Sequence, residues 1–193
     1  MIEDSAPVPT RRPRADAERN RNRLMAAAKT AFAERGSAAS LDEIARASGV
    51  GIGTLYRHFP TREALIEATY RKESEQIAAS AARLAQTHDP VEALREWLLL
   101  FVDYIAAKRG MLEALNAAAC DAAGVKAESG ARLSGAIGAL LERAAASGEI
   151  RLVMAQPLDL LRALGAVANA SPESKAAARQ LVDILIAGMR ART

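Results

Sequence analysis

Apolar residues return every three or four positions along most of this 193-residue chain, which is the period of amphipathic helices. Leu24, Ala28 and Phe32 recur at four-residue spacing and Met25 widens their stripe, so a first helix is expected from about Asp16 to Arg35, closed by Gly36. Ser40 and Glu43 form a capping box that opens a second helix with Leu41, Ile44 and Ala45 facing inward. Gly49 supplies a turn and Val50 an apolar plug. A third helix, about Ile52 to His58, places Leu55 and Phe59 on one side, and Pro60 stops it. Thr61 caps a long fourth helix with Leu65, Ala68 and Ile77 among its apolar positions, ending before His88.

The pattern continues without strands. Asp89-Pro90-Val91-Glu92 is a helix start, with an acid to cap it and proline in the first turn. The helix after it carries Leu94, Trp97, Leu98, Phe101 and Ile105. A shorter helix around Leu112 to Cys120 follows, then a loop near Gly124. The next helix runs from about Ser129 to Ala146 on Leu133, Ile137, Leu140 and Leu141, and Ser147-Gly148 ends it. Pro157 and Pro172 mark two further starts, the second with Ser171 as its cap, for helices of about 157 to 169 and 172 to 190. In the last, Leu181, Ile184, Leu185 and Gly188 make a stripe that Val182, Ile186 and Met189 broaden. A helix apolar on more than one side needs more than one partner. The last two helices therefore suggest an oligomer interface, with burial inside one protomer as the alternative. The expected fold is all-α, with about nine helices.

Composition narrows the classes. Half of the residues are apolar, enough for a sizeable core. The single Cys120 excludes an intrachain disulfide framework, and no segment reaches the length of a membrane span. A reducing, cytoplasmic setting is expected. The net charge is +3, unevenly placed: residues 1 to 62 hold 11 Lys and Arg against 7 Asp and Glu, the remainder 15 against 16. The excess thus accompanies the first three helices, where it can attract phosphates. With two histidines, one cysteine and no nucleophile elbow, phosphate loop or dinucleotide fingerprint, the chain does not read as an enzyme, and no metal or cofactor is expected.

Two short helices around a glycine turn suit a helix-turn-helix that enters the major groove of DNA. Gly51 and Gly53 remove side chains near the start of the third helix, either for close approach to DNA or merely for turn geometry. Ile52, Thr54 and Arg57 are left as candidates for reading bases. Tyr56 and His58 have polar tips suited to phosphate oxygens, or to contacts inside the small domain. Thr61 and Arg62 sit at the positive end of the fourth helix, where a phosphate is favoured, and Ser40 sits similarly on the second. Arg11, Arg12, Arg14, Arg19, Arg21 and Arg23 lie on or just after a proline-rich arm, residues 1–13, and can follow the DNA backbone or enter the minor groove. A solvated basic tail is the alternative.

The run VGIGTLYRHFPTREAL, Val50 to Leu65, closely resembles the TetR family of bacterial transcriptional regulators. The upstream SLDEIARASG and the placing of Phe32, Glu34 and Gly36 fit the same family. Its usual lysine after the Phe-Pro-Thr/Ser turn is replaced by Arg62, which keeps the charge. The resemblance implies a DNA-binding domain over residues 14–60 and a helical regulatory and dimerisation domain over 61–193. It implies a homodimer through the last two helices, a palindromic double-stranded operator and, usually, repression released by a small ligand. The later segment SGEIRLVMAQPLDLLRALGAV is similar, more loosely, to an SbtR-like subgroup. The family's ligand pocket lies within the variable C-terminal helices, so no motif locates it. Composition points to Trp97, Phe101, Tyr104, Met111 and Leu115, which include the only aromatics well inside the second domain, with core packing as the alternative for each. With Tyr104 the main hydroxyl nearby and few buried charges apparent, the ligand is expected to be largely apolar. The rival readings are a regulator of the same fold without an effector, an activator, and a helical module that binds protein. Steep weakening with salt separates DNA binding from the last of these.

Overall fold

The computed structural model describes residues 11–118, 121–151, 156–171 and 173–190, with side chains from Arg14 onward. The arm up to residue 10, the side chains of Arg11 and Arg12, Cys120 and Pro172 were all used above and lie outside the described residues. Nine α-helices are present among the described residues: α1 (Arg11–Arg35), α2 (Leu41–Ser48), α3 (Ile52–His58), α4 (Arg62–Thr87), α5 (Pro90–Ala107), α6 (Arg109–Ala117), α7 (Ala122–Ala146), α8 (Pro157–Asn169) and α9 (Ser174–Met189). A short 3-10 turn, Gly36–Ala38, follows α1.

Two apolar cores divide the chain. In the first, Leu24, Phe32, Ile44, Leu55 and Phe59 join Leu65 and Ile66 at the start of α4. Met111, Ala114 and Leu115 of α6 and Val125 of α7 belong to it as well. The second gathers α5, the later part of α4 and α7 to α9 around Leu94, Trp97, Leu98, Ile137 and Leu164. α4 runs through both. Trp97 is fully buried, donates its indole N–H to the carbonyl of Ile77 at 3.0 Å and stacks on Phe101 with ring centroids 5.9 Å apart. The polar tip of the largest side chain in the core is thereby satisfied.

Several boundaries differ from the sequence reading, each for a local reason. α1 begins at Arg11, before the expected Asp16, because its first turns carry no apolar face to announce them. The Ser40 hydroxyl makes no cap bond; Glu43 instead pairs with Arg35 at 2.6 Å. That hydrogen bond holds the Glu43 carboxyl below the usual range, helped by a backbone bond from Ser40, so half of the box survives. α6 starts three residues earlier than expected, directly after Lys108, whose N–H bonds to the Ile105 carbonyl. α7 runs through the expected loop near Gly124, since the Asp121 carboxylate accepts from the Gly124 N–H at 2.9 Å and caps the helix. α9 starts at Ser174 with Glu173 before it, and Ser171 meets the Ser174 hydroxyl in place of capping.

In α9 the residues that broaden the stripe are the buried ones: Val182, Ile186 and Met189 face the core with Ala178, whereas Ile184 on the stripe itself is 66% exposed. Leu181 and Leu185 lie at the margin of the core. An apolar strip is therefore left on the outside of α9.

Gly110 shows how tightly α6 meets the first core. A methyl group there would collide with the carbonyl oxygens of Phe32 and Ala33 at the end of α1. Only glycine allows the two backbones to approach so closely.

Candidate nucleic-acid interface and C-terminal cavities

The turn between α2 and α3 is built by Gly49. Its φ of 64° is left-handed, and its N–H returns to the carbonyls of Ala45 and Arg46. Val50, buried, follows, and its N–H bonds to the Ala45 carbonyl. Gly51 precedes α3, and its carbonyl accepts from Thr54 at 2.9 Å and Leu55 at 3.0 Å. Leu55 and Phe59 anchor its inner side.

Among the described residues nothing packs over the outer side of α3. Ile52 is 38% exposed and Tyr56 50% exposed, both large side chains that packing would have buried. Gly51 has an ordinary φ of −62°, and a methyl group at Gly51 or Gly53 would meet nothing within 4 Å. Turn geometry thus does not require these glycines. Arg57 lies along the helix surface, donating to the Thr54 hydroxyl at 3.1 Å and to the Gly53 carbonyl at 3.4 Å. His58 is half-buried against Phe59, its carbonyl accepting from Arg21 at 3.5 Å. Arg21 also lies over the Phe59 ring at 4.5 Å, so it braces α1 on α3.

Around this helix, Arg14 is exposed and makes no ion pair among the described residues, while Arg19 is paired with Asp16. Thr61 caps α4, its hydroxyl accepting from the Ala64 N–H at 3.1 Å, and stays exposed. Ser40 is half-buried. Arg62, expected to face a phosphate, is engaged inside the chain. It donates to the carbonyls of Ser37, at 2.8 Å, and Ala39, and lies over the Phe32 ring at 5.2 Å. Its guanidinium ties the start of α4 to the turn after α1.

The five residues picked in the C-terminal half do not form one site. Trp97 and Leu115 are completely buried in different cores. Phe101 and Tyr104 border a cavity of about 510 Å³ between α4, α5, α7 and α8, with Tyr70, Ile105, Leu133 and Leu161. Tyr104 and Met111 border a second, of about 280 Å³, between α1, α4, α5 and α6. Tyr104 is common to both.

Against the expectation of few buried charges here, Lys108 is only 4% exposed. Its Nζ donates to the Tyr104 hydroxyl and lies 3.1 Å from the Tyr70 ring centre. Burial pushes its pKa down to about 6, against a weaker opposing pull from Glu73. Burial also pushes Tyr70 up to about 12 and Tyr104 upward. The signal available in the sequence was the four-residue spacing of Tyr104 and Lys108 across the end of α5.

A helix-turn-helix with an uncovered outer helix, joined through a shared long helix to a cavity-bearing helical domain, defines a DNA-binding transcriptional regulator. The chain belongs to the TetR family. The family model for bacterial regulatory proteins of the tetR family matches residues 24–69, and that for the C-terminal domain of SbtR-like transcriptional regulators matches residues 89–191. A TetR transcriptional regulator from Streptomyces coelicolor is 42% identical in structure-based comparison, covering 90% of this chain and 99% of that one, with a TM-score of 0.78. A TetR regulatory protein from Mycobacterium vanbaalenii is 32% identical over 93% of this chain and 99% of that one, with a TM-score of 0.77. The HTH-type transcriptional regulator UidR of Escherichia coli K12 is 34% identical over 91 residues, 47% of this chain. The match to UidR spans only 41% of that relative's length. The family regulates transcription and has no enzymatic role. Among the described residues no helix is long and apolar enough to cross a membrane.

Proposed function

We propose that the protein acts in the cytoplasm as a homodimeric repressor, holding a palindromic operator until a small molecule enters its C-terminal helices. The observation that carries this reading is the outer side of α3. Ile52, Tyr56 and Arg57 stand exposed there with half-buried Thr54, on a face that none of the described residues covers, beside two glycines that the fold does not need. Thr54, Ile52 and Arg57 are assigned to base edges, and Gly51 and Gly53 to close approach of the backbone. Tyr56, His58, Thr61, Ser40 and Arg14 are assigned to phosphates, which fix position without reading sequence. Arg62 is assigned to holding the helix start that presents Thr61.

Dimerisation is assigned to the outer faces of α8 and α9. Ile184, Leu181, Leu185 and Gly188 form an outward apolar strip, continued by Ala163, Ala166 and Val167 on α8. Small residues there permit close helix pairing. The 510 Å³ cavity beside Phe101 and Tyr104, walled mainly by apolar groups, suits a largely apolar effector. Such a ligand releases DNA by binding the DNA-incompetent dimer better, and operator must weaken ligand binding by the same factor.

Enrichment of random duplexes on the purified protein tests the reading. The expected product is an inverted repeat whose half-sites lie about 34–36 Å apart, one turn of DNA. Enrichment of nothing, or of one unrepeated half-site, overturns it.

A further inference from the structure

The smaller cavity contains a buried cation-forming group without a counter-ion. Lys29, Glu73, Gln76, Asp103, Tyr104 and Lys108 supply its polar wall. Both carboxylates are already neutralised. Glu73 pairs with Lys29 at 2.6 Å. Asp103 receives Arg179 on both oxygens at 3.0 Å and Lys175 at 3.2 Å. Among the described residues the Lys108 Nζ has no carboxylate within 4 Å, and it donates a hydrogen bond to the Tyr104 hydroxyl.

We propose that this cavity is a binding site for a small organic carboxylate, seated on Lys108 and Tyr104. The ligand's negative charge supplies the counter-ion that the buried ammonium lacks. Tyr104 accepts from Lys108 and keeps its own hydrogen to donate to the carboxylate. Gln76 offers a further amide donor from α4, and Ile77, Leu100 and Met111 provide apolar wall for the body of the ligand. The titratable groups around Lys108 are Lys29 from α1, Glu73 and Tyr70 from α4, and Asp103 and Tyr104 from α5, of which Glu73 acts against the effect of burial; Arg132 of α7 acts on Tyr104. Burial disfavours the protonated amine when the cavity is empty, so a carboxylate bound near neutral pH is expected to draw a proton from solvent.

The site lies against the DNA-binding unit. The Lys29–Glu73 pair on its rim links α1 to α4, and Gly110, two residues beyond Lys108, rests on the end of α1. That position makes the carboxylate a candidate effector. This consequence rests on the regulatory reading above, while the binding site itself does not.

Calorimetric titration of the full chain with benzoate and with benzamide, at about pH 8 in buffers of different ionisation enthalpy, tests the site. Benzoate is expected to bind in the millimolar range, as its size dictates, with uptake of one proton per molecule. Benzamide should bind at least about tenfold more weakly, and Lys108→Met should weaken benzoate by about tenfold or more. Tyr104→Phe, which keeps the ring, should cause a smaller loss. Absence of benzoate binding, equal binding of benzamide, no proton uptake or an unaffected Lys108→Met variant each overturns the proposal. If Lys108→Met fails to fold, the proton count and the benzamide comparison on the wild type still decide. Binding of duplex DNA by the unliganded protein is measured alongside. Benzoate binding without DNA binding removes the regulatory reading and keeps the site; the reverse removes the site alone.

Discussion

The two halves of the molecule put their chemistry on opposite sides of their helices. In α3 the inner side is spent on Leu55 and the outer side carries the polar and glycine residues, uncovered. In α5 nine residues are buried, among them Trp97, Phe101 and Tyr104, and the polar groups of interest lie inside. A recognition surface must meet a large rigid partner and therefore faces out. A small-molecule site must exclude water and is assembled from the core itself. Damage to the first should thus alter binding with little change in folding, whereas damage to the second should register in both.

Trp97→Ala tests that contrast at its strongest. Loss of the stacked, hydrogen-bonded ring should cost about 3–5 kcal/mol of unfolding free energy, read by denaturant titration. A cost like that of a surface substitution would mean that the C-terminal core does not rest on this residue. Gly110→Ala comes next. Its new methyl group has to push α6 away from α1, and overpacking of this kind costs about 1–3 kcal/mol. Equal stability of the variant and the wild type would show that the seam between the halves is loose.

Lys108 gives a smaller effect with a definite sign. Its folded pKa is about 6, below the value of about 10.4 for an unfolded lysine. Between these values the unfolded chain binds the extra proton, so this group adds stability as pH rises, by at most about 1.4 kcal/mol per pH unit. Lys108→Met should therefore be more stable than the wild type near neutrality, with the gap narrowing toward higher pH. A gap that does not change with pH would place a charged lysine in the fold.

The sequence reading differed in success between the halves for the same reason. Gly49, Val50, Thr61 and the bounds of α3 were legible because turn and cap chemistry is local. Ile52, Tyr56 and Arg57 could be singled out as outward because a seven-residue helix has room for only one buried stripe. Arg62 was misleading: its charge suggested a phosphate, and its position near the carbonyls of Ser37 and Ala39 depends on how α4 meets the turn after α1. In the C-terminal half, apolar period marked the helices but not which neighbour each residue meets. Met111 and Leu115 joined the N-terminal core for that reason, and which side of the doubly apolar α9 faces inward was likewise set by its neighbours. The spacing of Lys108 from Tyr104 was visible but its burial was not, because that is set by the packing of α4, α5 and α6 around it.

The central claim is that the outer side of α3 reads DNA and does not hold the fold. It is tested by combining Ile52→Ala, Thr54→Ala and Arg57→Ala and measuring unfolding and duplex affinity on the same preparation. The account predicts stability within about 0.5 kcal/mol per site of the wild type. It also predicts operator affinity reduced by about a hundredfold or more, to the level of unrelated DNA. Operator affinity kept at the wild-type level, or lost only because the protein unfolds, would contradict it.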